Sequence, residues 1–347
     1  MKPAWKNKEG MVLQTKKRMK KMLLWGAAAL LLFSGVLTGC GGQPAATDSP
    51  PASDPAKNGA QQQPAPDQPA GEAAMIQIRG SDSEVNLVQV LAEEFMHDNP
   101  QIQIAVTGGG SGTGIAALID GTIDVANSSR PMSDGEIEQA RGNNIEPVPV
   151  RFAVDGLGVI VNENNPLDDL TVEQIGAIFR GEITNWSEVG GENAAINLYG
   201  RQSSSGTFVF FMESVLQGDY SPEMRNMAGN ADIVEGVSSD VTGIGYVAIG
   251  YAVEGDQVRP GLKVLNVAAD SSSPAITPLE LDNIIGGTYP ISRPLYQFTD
   301  GMPGGAIQAF LEFELSERGQ AIVLEQGFYP LRAQDLDANR ENLDFIH

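Results

Sequence analysis

Two stretches of this 347-residue chain put glycine and hydroxyl side chains where a predicted strand gives way to a predicted helix. The first is Thr107-Gly108-Gly109-Gly110-Ser111-Gly112-Thr113-Gly114. The second is Gly200-Arg201-Gln202-Ser203-Ser204-Ser205-Gly206-Thr207. Backbone N–H groups at a helix N-terminus lack intrahelical acceptors, and the aligned peptide dipoles leave partial positive charge there. Glycine lets the backbone approach a ligand closely. Ser and Thr add O–H donors, and a guanidinium offers a planar fork that matches two oxygens of a tetrahedral oxyanion. These residue types suit capture of an anion. Alone, each segment reads more readily as a turn with an N-cap. Neither has the P-loop lysine or a strict G-x-G-x-x-G spacing. Two of them on separate turns, one carrying Arg201, can face each other across a cleft.

Catalysis has little to draw on. The histidines are His97, which sits among Glu93, Glu94 and Asp98 near a predicted helix end, and His347, the last residue. A Ser-His-Asp triad is therefore poorly supplied, and Cys–His or His-rich metal spacing is absent. The sequence predicts no enzyme, no cofactor and no metal site. With 22 Lys+Arg against 44 Asp+Glu, it also argues against a nucleic-acid partner. The single cysteine rules out an intramolecular disulfide.

The elements that would position the two segments begin at Met75. Strands are predicted at Met75–Arg79, Gln101–Val106, Ile123–Ala126 and Ile145–Val150. Helices are predicted between them at Ser83–Asp98, Ser111–Ile119 and Ser133–Gly142. Val88, Leu91, Ala92 and Phe95 share one face of the first helix, which Asn99-Pro100 stops. A second set follows: strands at Leu157–Val161, Ile196–Tyr199 and Gly243–Val247, and helices at Thr171–Phe179 and Thr207–Leu216. Later come a helix near Pro278–Ile285, a strand near Leu295–Phe298 and a helix at Ala306–Leu315. Alternation of this kind implies an α/β fold with a mostly parallel sheet, and the length suits about two domains.

Ahead of this body lies a targeting segment. Lys16, Lys17, Arg18, Lys20 and Lys21 form a basic region, and Leu23 to Leu37 is an apolar run of 15 residues. That is shorter than the about 20 residues a spanning helix needs and suits a signal peptide. It ends in Leu37-Thr38-Gly39-Cys40, which resembles a bacterial lipobox; residues 1–39 would be removed and the Cys40 thiol lipidated. The start codon, Met1, Met11 or Met19, stays open. Cleavage takes away eight Lys/Arg and one Glu, leaving 14 basic and 43 acidic residues, a formal charge of −29. Residues 40–74, rich in Pro, Ala, Gln, Ser and Asp, read as a flexible tether.

Arg201-Gln202-Ser203-Ser204-Ser205-Gly206-Thr207 resembles the Arg-x-x-x-Ser-Gly-Thr loop of the PstS-type periplasmic phosphate-binding proteins. Ile178-Phe179-Arg180-Gly181-Glu182-Ile183-Thr184-Asn185-Trp186 with Val189-Gly190-Gly191 resembles their Ile-Phe-x-Gly-x-Ile-Thr-Asn-Trp signature. Gly80-Ser81-Asp82-Ser83, Gly110-Ser111-Gly112, Asp124 to Arg130, and Tyr289 to Tyr296 resemble further family blocks in order. The likeness covers about residues 75–332. It implies the two-lobed type II periplasmic-binding-protein fold, with residues 75–152 and 294–347 in lobe I, 153–293 in lobe II and the ligand between them. Crossings are expected near Val150–Val154 and Ser292–Leu295. The implied ligand is inorganic phosphate, captured for the membrane permease of an ABC importer on the extracytoplasmic face of the cell membrane. The implied contacts are Ser81 or Asp82, Ser83, Ser111, Ser129, Arg201, Ser203, Ser205, Gly206 and Thr207. Thr184-Asn185-Trp186 is expected to be a structural turn with Trp186 in the core.

Two positions depart from the family pattern. Many relatives carry Asp where this chain has Ser129, and acidic or other residues where it has Ser203. A carboxylate there accepts a phosphate O–H and repels sulfate. Asp82 is either the substitute for that role or a cap of the helix after Ser83. Arg130 is either a second cation or an ion-pair partner. Competing functions are a surface sensor or adhesion lipoprotein on the same fold, and a binder of another tetrahedral oxyanion.

Overall fold

The computed structural model describes residues 74–255 and 257–346. The signal peptide, Cys40 and the tether lie outside the described residues. Strand β1 (Ala74–Gly80) buries Ile76 and Ile78 and turns Gln77 and Arg79 outward, the two-residue period of a strand. Helix α1 (Val85–Asp98) buries Leu87, Val88, Leu91, Ala92 and Phe95 on one face. Asn99 ends it, its side-chain amide donating to the Phe95 carbonyl ahead of Pro100. Strand β2 (Ile102–Thr107), helix α2 (Ser111–Ile119), strand β3 (Val125–Ser128) and helix α3 (Asp134–Gly142) follow within a few residues of their predicted places. Strand β1 runs parallel to both β2 and β3.

Beyond α3 the structure corrects the expectation. The predicted strands at Ile145–Val150 and Leu157–Val161 are one strand, β4, of 16 residues from Pro147 to Asn162. Asp155, Gly156 and Gly158 look like a break in sequence. In the structure Asp155 is paired with a buried arginine. A Cβ on Gly156 would lie 2.7 Å from Ile284, so that glycine marks close packing rather than a turn.

Helix α4 (Val172–Arg180) is closed at both ends by its own residues. Thr171 and Gln174 form a capping box, and Gly181 ends the helix in the left-handed region at φ 79°. Strand β5 (Asn197–Arg201) leads into helix α5 (Gly206–Phe211), which continues as a π-helical turn over Met212–Leu216. Strand β6 (Arg225–Met227), helix α6 (Asn230–Ser238), strand β7 (Gly243–Ala248), strand β8 (Leu262–Val264) and strand β9 (Ser292–Asp300) complete the sheet. The sequence reading missed α6 and the C-terminal helices Glu317–Glu325 and Ala333–Asn342.

Among the described residues the main sheet has nine strands in the order β2-β1-β3-β9-β4-β7-β5-β6, with β8 beside β4. It is mixed rather than mostly parallel. Strand β9 is antiparallel to β3 and β4, and β4 is antiparallel to β7 and β8. The β4–β9 ladder therefore runs through the middle of the sheet. A β-bulge interrupts it between Leu295 and Tyr296, opposite Ala153 and Arg151. A bulge bends its strand and adds local twist. Separate hydrophobic clusters lie to either side. One centres on Ile76, Leu91, Phe152, Leu295 and Phe310, the other on Val159, Phe179, Tyr246, Ile284 and Ile291. No helix of the described residues is long and apolar enough to cross a membrane.

Candidate functional site

The two glycine- and hydroxyl-rich segments meet. Gly112 N donates to the Ser204 carbonyl at 3.0 Å. Gly110, at φ 97°, holds a backbone shape that L side chains rarely adopt, and a Cβ there would fall 2.6 Å from the same carbonyl. The turn before α2 needs glycine for both reasons. Gly206 lies as close on the other side: a Cβ there would be 2.3 Å from Ser111 Oγ and 2.8 Å from Ser129 Oγ.

Hydroxyls gather around this crossing, all buried. Ser129 N donates to Ser111 Oγ at 3.1 Å, and the Ser111 and Ser129 hydroxyls are 3.4 Å apart. Ser83 Oγ and Thr207 Oγ1 share a hydrogen bond of 2.7 Å across the gap between the β1–β3 side and the β5–β7 side. Ser205 Oγ caps α5, accepting from Thr207 N and Phe208 N. Ser81 Oγ accepts from Ser83 N. Of the residues expected to contact the ligand, Ser81, Ser83, Ser111, Ser129, Arg201, Ser205, Gly206 and Thr207 are buried here. Ser203 is exposed on its turn and stands apart from them.

Arg201 is 1 % exposed. Its Nη2 donates to Asp82 Oδ2 at 2.5 Å and to the Ala228 carbonyl at 3.0 Å. Its Nε and Nη1 are buried with no hydrogen-bond partner. Unpaired donors on a buried guanidinium are costly, so they mark a place for an acceptor. Asp82 does not cap α1. The N-cap position of α1 is Glu84, which makes no side-chain cap. Asp82 instead accepts from Gly109 N at 2.8 Å through Oδ1 and from Arg201 through Oδ2, tying both segments to the end of β1. Arg130 is an ion-pair partner, with Nη1 and Nη2 donating to the two Glu136 oxygens at 2.7 Å each. Burial opposes the Glu136 carboxylate, but those bonds outweigh it and hold its pKa below the usual carboxylate range. Trp186 is buried, with its indole N–H donating to the Thr242 carbonyl, as a structural turn requires.

The sequence reading did not single out Arg293 or Asp155. They pair at 3.0 Å on adjacent strands β9 and β4, and both are buried. Arg293 Nη1 donates to the Ser129 carbonyl at 3.0 Å, and Nη2 to Thr207 Oγ1 at 2.8 Å. The available signal was one cation and one anion, each at a buried position of a strand. Neither is stable there unpaired. Glu84 lies near the same pair. Burial pushes its carboxyl well above its ordinary value, against the pull of Arg293. Each arginine of the site is paired with an aspartate, Arg201 with Asp82 and Arg293 with Asp155. An anion would be held by donors and dipoles more than by net field. Among the described residues no cluster of His, Cys, Asp or Glu is placed to hold a metal ion.

Residues 54–318 match a family model described as a PBP superfamily domain. The chain is 33 % identical over 285 residues to the phosphate-binding protein PstS of Pseudomonas aeruginosa, covering 76 % of this chain and 85 % of that one. It is 32 % identical over 259 residues to the phosphate-binding protein PstS of Bacillus subtilis, with 74 % and 80 % covered. A solved substrate-binding protein with bound phosphate from Clostridium perfringens superposes with a TM-score of 0.66 at 28 % identity, covering 74 % of this chain and all of the other. The two-lobed type II periplasmic-binding fold is thus shared, and the chain belongs to the PstS-type phosphate-binding proteins of the PBP superfamily.

Proposed function

We propose that this chain is the extracytoplasmic, lipid-anchored receptor that captures inorganic phosphate and delivers it to the permease of an ABC importer. The observation that carries the reading is Arg201, buried and bonded to Asp82, which lies between the buried Ser81 and Ser83, with Nε and Nη1 lacking acceptors. Ser81, Ser83, Ser111, Ser129, Ser205, Gly206 and Thr207 would supply short-range donors from hydroxyl or backbone groups. Ser203 is exposed and contributes least. Asp82, bonded to Arg201, would accept the O–H of a protonated phosphate.

The hydrophobic clusters bear on the lobe boundaries. Ala153 and Leu295 belong to one hydrophobic cluster, Val154 and Ile291 to the other. The change of cluster between Ala153 and Val154 on β4 and between Ile291 and Leu295 at β9 falls within a residue or two of the boundaries of the reading, lobe I as residues 75–152 and 294–347 and lobe II as residues 153–293, joined through the β4–β9 ladder. The basic region, apolar run and Leu-Thr-Gly-Cys ending support anchoring through Cys40, since two or more acyl chains hold a protein to a bilayer where one does not. Cys40→Ala should release the protein from membranes or block its processing. Normal cleavage with full membrane retention would count against the anchor.

Titration calorimetry of the phosphate-stripped protein with phosphate, sulfate and molybdate tests the ligand. Saturable one-site binding of phosphate, with sulfate weaker, is expected. Binding of none of the three would leave the sensor or adhesion reading. Preference for sulfate or molybdate would make it a receptor for a different oxyanion.

A further inference from the structure

We propose that Arg293 is a positioning residue: it fixes the direction of the hydroxyl protons that face the ligand, and does so only when both sides of the cleft are in contact. The inference rests on the phosphate-binding reading and deepens it. A guanidinium carries five N–H donors and no acceptor, so any hydroxyl it meets must accept from it. Thr207 Oγ1 does so, at 2.8 Å from Nη2, and also shares the 2.7 Å bond with Ser83 Oγ. Two hydroxyls hold two protons, and one is used between them. With Arg293 occupying a lone pair of Thr207, the other proton must point away from the guanidinium. The pair therefore presents one outgoing donor, which suits an anion oxygen.

The placement supplies the coupling to closure. Arg293 lies on β9 in register with Asp155, three residues before the β-bulge of the central ladder. From there it reaches the Ser129 carbonyl on the β1–β3 side and Thr207 at the start of α5 on the other. Its three nitrogens are all engaged, Nε and Nη2 by Asp155, so it is not free to turn toward a ligand itself. Separation of the two sides would break the Thr207 bond while leaving the Asp155 pair, which sits on adjacent strands, intact.

A purely structural ion pair is the rival role, and Arg293→Lys separates the two. Lysine keeps the charge beside Asp155 but cannot fork to Ser129 and Thr207 at once. The relay predicts that phosphate affinity in Arg293→Lys falls about tenfold while the ligand-free melting temperature stays near the parent's. It also predicts coupling. Thr207→Val should weaken binding at least about fivefold more in the parent than in the Arg293→Lys background, and Thr207→Ser should bind like the parent. If Arg293→Lys does not fold, Asp155→Asn with Arg293→Gln replaces the pair by neutral hydrogen-bonding groups. Glutamine can accept as well as donate, so affinity should still fall about tenfold. Parent-like binding by either folded variant, or additive effects of Arg293→Lys and Thr207→Val, would overturn the relay alone. Absence of phosphate binding by the parent would overturn the reading beneath it as well.

Discussion

Two arginine–aspartate pairs stand within the site, and they differ in what they leave unspent. Arg293 with Asp155 is sealed: the side chains are 2 % and 0 % exposed, and every guanidinium nitrogen has a partner. Arg201 with Asp82 is open: Asp82 is 22 % exposed, and Nε and Nη1 of Arg201 have no acceptor. The sealed pair joins neighbouring strands, and the open pair joins the two sides of the cleft. Similar ions at similar distances thus serve a fixed part and an exchangeable one. The distinction lies in the accounting of donors, not in charge.

The largest expected effect breaks the open pair. Arg201→Ala removes the cation with spare donors and should weaken phosphate binding by tenfold or more. A hydrogen bond to a charged group contributes about 1.5–3 kcal/mol. Arg201→Lys should recover only part of this, because an ammonium cannot serve Asp82 and a ligand with the same fork. Calorimetry decides it; parent-like affinity in Arg201→Ala would move the site elsewhere.

The contrast also shows which parts of the site sequence could reveal. Arg201, Ser205, Gly206 and Thr207 stand together on one strand–helix turn, and local spacing exposes them. The Ser111 turn was legible for the same reason. Arg293 and Asp155 lie 138 residues apart and meet only through the register of β4 and β9. Asp155 sits in a continuously buried run that carries no alternating pattern, and that also hid the continuity of β4. Asp82 was visible, but its partnership with Arg201 spans 119 residues and depends on the two lobes meeting. The fold read well wherever helices alternate with strands, as from β1 to α3. It read poorly where polar helices such as Ala333–Asn342 give little apolar periodicity.

Asp82→Asn sharpens the comparison from the other member of the open pair. It keeps the size and removes the charge, and its single acceptor oxygen can hold the bond to Arg201 or the one to Gly109, not both. The parent carboxylate opposes an acceptor-only oxygen brought near Arg201, which penalises sulfate more than a protonated phosphate. The phosphate-over-sulfate ratio should fall about tenfold, a shift of ~1.4 kcal/mol. Competitive calorimetry at one pH and ionic strength measures it. An unchanged ratio would reduce Asp82 to a holder of Arg201.

Behind the sealed pair, Glu84 tests how much buried charge the region tolerates. Both of its oxygens are buried without a hydrogen-bond partner, and burial raises its pKa well above the ordinary value, as it does for Glu314. A raised carboxyl pKa means that the folded state holds a proton the unfolded chain releases. Stability is therefore full below the unfolded pKa and declines as pH rises toward the folded one, by up to about 1.4 kcal/mol per pH unit for each group. Glu84→Gln and Glu314→Gln should each flatten the fall in melting temperature as pH rises above the ordinary carboxylate range. If both variants keep the parent's slope, these carboxyls are already ionised in the folded protein.

The smallest effect concerns a cation outside both pairs. Arg79 is exposed at the end of β1 and makes no ion pair among the described residues. A Cβ on Gly109 would lie 4.0 Å from its Nη2, and Gly109 itself donates to Asp82. It is thus a positive group at the rim of the open pair, on a chain with 44 acidic residues against 22 basic ones. The overall field should repel phosphate at long range, while Arg79 attracts it only within the last Debye length, about 10 Å at 0.1 M salt. Inert salt should therefore speed association of the parent or leave it unchanged, because it screens the distant repulsion first. Arg79→Gln should lower the on-rate at low salt by about twofold and leave the off-rate alone, since the side chain is exposed and not placed to bond the enclosed ligand. The difference between variant and parent should vanish by about 0.5 M salt, where screening reaches only a few ångströms. Stopped-flow traces across a salt series provide the check. A slower off-rate in the parent than in Arg79→Gln would instead make Arg79 part of the bound site. A steep fall of the parent's on-rate with salt would mean that the positive rim, not the acidic body, governs the approach.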